Sequence, residues 1–243
     1  MKNAILIGFG RFGKLFHEHF QDYFHFTIID KNTHNSKSKN QENFRLQEAE
    51  IIFFATPISS LKEAAISLKN EINSSSLIVE LCSVKIYPRK VLKEIFPDNP
   101  ILGIHPLFGP DSVFNSLKGH QAILTQTKLE NENIQYIMEA FQSKGVELFE
   151  LTEDEHDKLM AYTLCLTQFI GRSLGNFPLP EIGIGTKGYF DLLQIIKRTN
   201  ADTLQLFLDM NIYNPYAQEM RELLIKKMIE TDSMINDFRK SID

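Results

Sequence analysis

The sequence predicts an α/β protein of two domains. The first is an N-terminal Rossmann-type, doubly wound, mostly parallel sheet over residues 1–151. The second is an all-helical domain over residues 152–243. Three observations carry this. Short, uninterrupted apolar runs alternate with amphipathic stretches through the first 150 residues, the signature of strands buried on both faces with helices between them. Gly8, Gly10 and Gly13 stand in the spacing G-x-G-x-x-G directly after the first apolar run. Strand-type sequence stops near Glu150, and only helix and loop patterns follow.

The first element is the run Ile5-Leu6-Ile7, a buried strand. Gly8 then permits a tight turn, Gly10 lets a pyrophosphate approach the backbone, and Gly13 lets the following helix pack close to the strand. That helix carries Leu15, Phe16 and Phe20 at helical spacing, with Arg11 and Phe12 in its first turn at the nucleotide. Its N-terminus offers unpaired N–H groups and a partial positive charge to phosphates. A second strand, Phe26–Ile29, ends in Asp30, where a carboxylate accepts the ribose hydroxyls and repels a 2′-phosphate. The cofactor expected is NAD, with NADP as the open alternative because Lys31 follows at once.

Residues 31–47 are polar and read as a loop in place of a full helix. Ile51–Ala55 is the next strand, and Thr56-Pro57 at its carboxyl end lies where the nicotinamide half would pass. A helix over 60–72, a strand over 77–81 and a helix over 87–96 follow, with Cys82-Ser83-Val84-Lys85 at another strand end. Ile101–Ile104 is a short strand running into His105-Pro106-Leu107-Phe108-Gly109-Pro110-Asp111. A histidine between a strand and a loop stiffened by prolines suits proton abstraction near neutrality, although a strand-capping histidine would give the same pattern. Ser83 reaches the same region from the neighbouring strand end. No G-x-S-x-G elbow accompanies it, so it is read as orienting the base or a substrate hydroxyl rather than as an acylating nucleophile. Two further strands, 121–124 and 146–149, flank a helix over 132–143.

Thr152-x-x-Glu155 is a capping box opening a long helix to Gly175. Pro178 and Pro180 end that region, and Gly183, Gly185 and Gly188 surround Lys187, which could serve an anionic group or lie in a plain connection. Helices over 188–198, 202–211 and 216–239 complete the chain. The Met and Leu stripe of the last one reads as core or dimer contact, and a helical domain of this size is expected to complete its core by homodimerisation.

Composition bounds the function. The 243 residues carry a net charge of −5 and no long basic run, so neither nucleic acid nor an anionic membrane surface is the expected partner, and a small molecule is. Cys82 and Cys165 have no metal or disulfide spacing, no apolar run reaches membrane-spanning length, and the first strand begins at the N-terminus. A reducing, cytoplasmic setting without a metal centre is the expectation.

Taken together, GFGRFG, the ATP turn, LCSVK, GIHPLFGPDS and EHDKLMA resemble the prephenate/arogenate dehydrogenases of tyrosine biosynthesis. TQFIGRSLG and GTKGYFDLL look like the plant-type arogenate dehydrogenase branch. The resemblance implies an NAD(P)-dependent oxidative decarboxylation of a cyclohexadienol: arogenate to tyrosine, or prephenate to 4-hydroxyphenylpyruvate. By the same resemblance His105 is the base and Ser83 its hydroxyl partner, and Lys85, Gly109, Pro110, Thr167, Gln168, Lys187 and Asp202 line the substrate. Asp202 falls where an acidic residue selects arogenate's ammonium. Gln168 stands where plant-type members carry histidine. The arginine that grips the substrate carboxylate in bacterial members falls near Ile195, which leaves Lys187, Arg198 or Arg221 to replace it. Two other readings stay open: another small-acid dehydrogenase or imine reductase of the same architecture, and a non-catalytic dinucleotide-binding protein with a decayed substrate site.

Overall fold

A computed structural model describes residues 1–31, 45–128, 130–180 and 182–242. Most of the expected 31–47 loop lies outside them. The chain divides into two units, Met1–His156 and Asp157–Asp243.

The first unit is built on a sheet whose described strands are β1 (Lys2–Ile7), β2 (Phe24–Ile29), β3 (Ile51–Phe54), β4 (Leu77–Glu80), β5 (Ile101–Pro106), β6 (Gln121–Thr125) and β7 (Glu147–Glu150). Their order is β2-β1-β3-β4-β5-β6-β7. Every pairing is parallel except β5 with β6. The order reverses between β1 and β3, so a crevice opens at the carboxyl ends of these two strands, the usual nucleotide position in such sheets. The connecting helices are α1 (Arg11–Phe20), α2 (Ile58–Leu68), α3 (Ile86–Ile95) and α4 (Glu132–Ser143), with a 3-10 turn at Leu46–Glu48. Strands β3 and β4 are buried at every position, which is why they read as unbroken apolar runs.

One side of the sheet is filled by aromatic rings. Phe16 of α1 lies 4.9 Å from Phe53 and 4.7 Å from Phe20, and Phe20 lies 4.6 Å from Phe141 of α4. All four are buried, each stabilising the fold by roughly 2–3 kcal/mol through area removed from water.

The second unit holds α6 (Leu166–Gly175), α7 (Lys187–Ala201), α8 (Leu204–Ile212) and α9 (Ala217–Lys240). The expected continuous helix from Glu153 to Gly175 is instead α5 (Glu153–Met160), a π-helical turn at Ala161–Cys165, and α6. The Thr163 and Thr167 hydroxyls donate to the carbonyls of Leu159 and Thr163 in and beside this turn. Gly171 and Gly175 let α6 lie against α7: a Cβ on Gly171 would stand 2.2 Å from the Thr199 hydroxyl, and one on Gly175 2.6 Å from Asn200. The buried core here is small, namely Ala161, Cys165, Met210, Ala217 and Met220. Met228, Ile229, Met234, Ile235 and Phe238 stand exposed along α9.

One local expectation is corrected. His105 and Pro106 are not in a loop after a strand ending at Ile104. They are the last residues of β5, paired with Ile123 and Ala122. A proline fits there for two reasons. Pairing to β4 has already ended at Glu80 and Gly103. Toward β6, Leu107 N–H donates to Gln121 O at 2.9 Å, so Pro106 one residue earlier occupies a position where the ladder asks for no N–H.

Candidate active site

The glycine turn has the shape its sequence predicts. Gly8 has φ +92°, and a Cβ on it would meet the Ala55 carbonyl oxygen at 2.7 Å. A Cβ on Gly13 would stand 2.1 Å from the Gly8 carbonyl oxygen, so α1 can sit this close to β1 only with glycine there. Gly10 differs: a Cβ on it would meet nothing within 4 Å, so its surface faces open space. It is also the N-cap of α1, with no side-chain cap and no acidic residue in the first turn. The helix therefore presents uncapped amide groups where Gly10 leaves room for a ligand.

Asp30 directly follows β2, and its carboxylate accepts the Phe9 N–H at 2.6 Å, which fixes it against the turn. Thr56 follows β3, and its hydroxyl is buried without a protein partner among the described residues. Pro57 caps α2. Phe12 packs against the aromatic core at 6.3 Å from Phe16. Arg11 faces outward and pairs with Asp111 at 2.6 Å, joining the start of α1 to the turn that follows Gly109 and Pro110. Gly109 N–H donates to the Ser112 hydroxyl at 2.9 Å, and a Cβ on Gly109 would meet nothing within 4 Å. Open space at Gly10, an orphaned Thr56 hydroxyl and an anchored acid at the second strand fit a dinucleotide.

The second half of the site lies at the ends of β4 and β5. Ser83, just past β4, has a buried hydroxyl without a partner among the described residues. Lys85 is wholly buried at the start of α3, and its ammonium donates to Glu80 Oε1 at 2.6 Å and to the Ile104 carbonyl at 2.9 Å. Glu80 Oε2 accepts the Cys82 N–H at 2.9 Å. Burial pushes the Glu80 carboxyl up to about 7 against the pull of Lys85. His105 Nδ1 lies 2.8 Å from His156 Nε2, and both rings are buried. Desolvation, then His156, then the Lys85 charge hold His105 well below the usual histidine range. Desolvation and Lys85 take His156 down to about 2. Both shifts favour neutral imidazoles sharing one hydrogen bond.

The residues assigned to substrate from the helical unit lie among neighbours of their own. Thr167 and Gln168 are on α6, and Gln168 is buried and donates to the Asp202 carboxylate at 2.6 Å. Lys187 is exposed at the start of α7 and pairs with Asp191 at 2.6 Å. Arg198 is exposed, and Arg221 donates to Asn211 Oδ1 at 2.9 Å.

The sequence assigns no role to three further residues. His156 was visible only as part of Glu155-His156-Asp157 on a helix. Glu80 was visible as a lone acid closing the apolar run Leu77-Ile78-Val79. Arg172 donates to the Thr199 and Asp202 carbonyls and stacks 5.3 Å from the Phe207 ring centroid, yet in sequence it is one more polar residue on α6.

Residues 25–150 match the family described as prephenate dehydrogenase, nucleotide-binding domain, and residues 173–237 match TYRAAT1-like, C-terminal domain. The chain is 27% identical over 240 residues to chloroplastic arogenate dehydrogenase 2 of Arabidopsis thaliana, covering 92% of this chain and 67% of that protein. It is 30% identical over 183 residues to chloroplastic arogenate dehydrogenase 1 of the same plant, covering 72% of this chain and 29% of that one. The chain thus spans between under a third and about two thirds of these relatives' lengths. Its fold matches a crystal structure of prephenate dehydrogenase from A. aeolicus in complex with hydroxyphenyl propionate and NAD+, with a TM-score of 0.69, 17% identity, and coverage of 100% of this chain and 99% of that one. Among the described residues no helix is long and apolar enough to cross a membrane. With a nucleotide-binding domain matched over half its length and arogenate dehydrogenases among its relatives, the chain belongs to the prephenate dehydrogenase family.

Proposed function

We propose that the protein is an NAD-dependent dehydrogenase that oxidises and decarboxylates a cyclohexadienol, with arogenate as the favoured substrate and tyrosine as product. The observation that carries the proposal is a buried His105 at the end of β5, hydrogen-bonded to His156, with an unpartnered Ser83 hydroxyl just past the end of neighbouring β4, in a nucleotide-binding domain. The named relatives support the substrate class.

Gly8, Gly10, Gly13 and the α1 amides would hold the pyrophosphate, Asp30 the adenosine ribose, and Thr56 and Pro57 the nicotinamide half. When bound, the nicotinamide supplies the hydride acceptor. Asp30 favours NAD, since its carboxylate would face a 2′-phosphate with like charge. His105 takes the proton of the substrate's 4-hydroxyl. For that its Nε2 must carry the lone pair, so Nδ1–H donates to His156 Nε2. The proton taken up then leaves an imidazolium that keeps the same hydrogen bond. The Ser83 hydroxyl, with nothing else to bond, orients the substrate oxygen toward His105. Loss of carbon dioxide and aromatisation supply the driving force, so positioning and acceptance of one proton are what the protein contributes. The exposed apolar face of α9 supports a homodimer formed through the helical unit, which light scattering on the eluted protein would show as twice the chain mass.

The test is His105→Asn assayed for NADH formation with arogenate. Turnover should fall by at least about a thousandfold, with NAD affinity within twofold of the parent. Full turnover in this variant would remove His105 from the chemistry.

A further inference from the structure

We propose that the buried Glu80–Lys85 pair is a positioning device for the reaction: it ties the turn bearing Ser83 to the strand bearing His105, so that the pair acts on the site as well as on the fold. This rests on the reading in which His105 accepts the substrate proton.

The connectivity carries the proposal. Glu80 ends β4, and its two oxygens are divided between two tasks. Oε2 accepts the N–H of Cys82, the residue before Ser83, and Oε1 accepts from Lys85. The Lys85 ammonium passes the connection on to the carbonyl of Ile104, the residue before His105. One ion pair thus bonds to the immediate chain neighbours of both residues proposed to meet the substrate oxygen.

The fold makes room for the pair at a cost. A Cβ on Gly103 would stand 2.6 Å from Glu80 Oε1, 3.0 Å from Lys85 Cδ and 2.4 Å from the Thr125 hydroxyl, so β5 needs glycine here for the pair to fit. Both side chains are wholly buried, and a buried ion pair is a poor source of stability compared with apolar residues of the same volume. A role in the site accounts for its presence better than stability does.

The electrostatic part follows from what surrounds His105. His156 of α5 and Lys85 at the start of α3 are the groups that act on it, with Glu80 of β4 behind Lys85. Toward β6 the paired residue is apolar Ile123. Burial comes first in opposing protonation of both imidazoles, and the Lys85 charge acts on each in the same direction.

The experiment compares two double variants with the parent. In E80Q/K85Q, amides replace both charges, keeping an acceptor for the Cys82 N–H and a polar donor at position 85. In E80Q/K85M, the connection to Ile104 is lost as well. The readouts are the titration of His105 by its imidazole 15N resonances, identified by their loss in H105N, and the pH profile of kcat/KM. In both doubles the His105 titration and the acid limb of the profile should move upward. The plateau should fall at least tenfold further in E80Q/K85M than in E80Q/K85Q. If E80Q/K85M does not fold, E80Q/K85Q alone still reads the field. An unmoved His105 titration in a folded double overturns the proposal. Absence of turnover in the parent with any cyclohexadienol would instead sink the proposed function, and the titration would still be readable.

Discussion

Replacing His156 with leucine isolates the hydrogen bond on which the base depends. The 2.8 Å contact between His105 Nδ1 and His156 Nε2 is buried on both sides, so in His156→Leu the Nδ1–H has no acceptor and no water to turn to. A buried donor stripped of its partner costs about 1–3 kcal/mol. The cost falls on the tautomer that donates from Nδ1 and leaves Nε2 able to accept. The other tautomer, protonated at Nε2, escapes it and is not a base toward substrate. At 1.36 kcal/mol per factor of ten, kcat should fall roughly 5–150-fold. The KM for NAD should not change, since the nucleotide half of the site is untouched. Stability should fall by about 1–3 kcal/mol, because a buried hydrogen bond is lost. His156→Gln restores an acceptor and should recover most of the loss. Steady-state kinetics on the three proteins, with a urea melt to confirm folding, decide the matter. Wild-type kcat in His156→Leu would refute the assignment of His156 as the residue that sets the His105 tautomer.

Three further outcomes follow from the same structure. Acid should destabilise the protein more steeply below pH 6.5 than its exposed charges alone would. His156 has a folded value of about 2 against an unfolded value near 6.5, so the unfolded chain binds the extra proton and stability falls as pH falls through that window, by ~2 kcal/mol at pH 5 from this group alone; urea midpoints at pH 7.5 and 5 should show the slope, and His156→Leu should flatten it. Gly10→Ala and Gly13→Ala should part company: the first faces open space and should keep its melting temperature within a few degrees while weakening NAD binding at least tenfold by calorimetry, whereas the second sets a Cβ 2.1 Å from a carbonyl oxygen and should lose several kcal/mol of stability. Asp30→Asn keeps an acceptor for the Phe9 N–H but drops the charge, so NADP should gain about tenfold in kcat/KM relative to NAD; an unchanged preference would place the discrimination elsewhere.

What was legible in the sequence was what is local. The strands at Ile51–Phe54 and Leu77–Glu80 are buried on both faces and show as apolar runs, and the glycine turn shows because its three constraints lie within six residues. The end of β5 was misread for a local reason: Pro106 and Gly109 signal a loop, and only pairing with β6, sixteen residues further on, keeps His105 in a strand. His156 was hidden because its meaning is non-local. It sits 51 residues from His105, and on a helix an isolated Glu-His-Asp has many uses. Glu80 and Lys85 looked like a strand-end acid and a substrate-facing lysine until the fold buried them together. The π-turn at Ala161–Cys165 has no simple sequence signal, since each residue there is an acceptable helix former in its own right.

The most direct test of the central claim is initial-rate NADH formation with arogenate and with prephenate, measured side by side on the unmodified protein. Turnover of arogenate with NAD, well above that of prephenate, is the predicted result. Binding of NAD with no turnover of either compound would contradict the account and leave a nucleotide-binding protein whose substrate site no longer works.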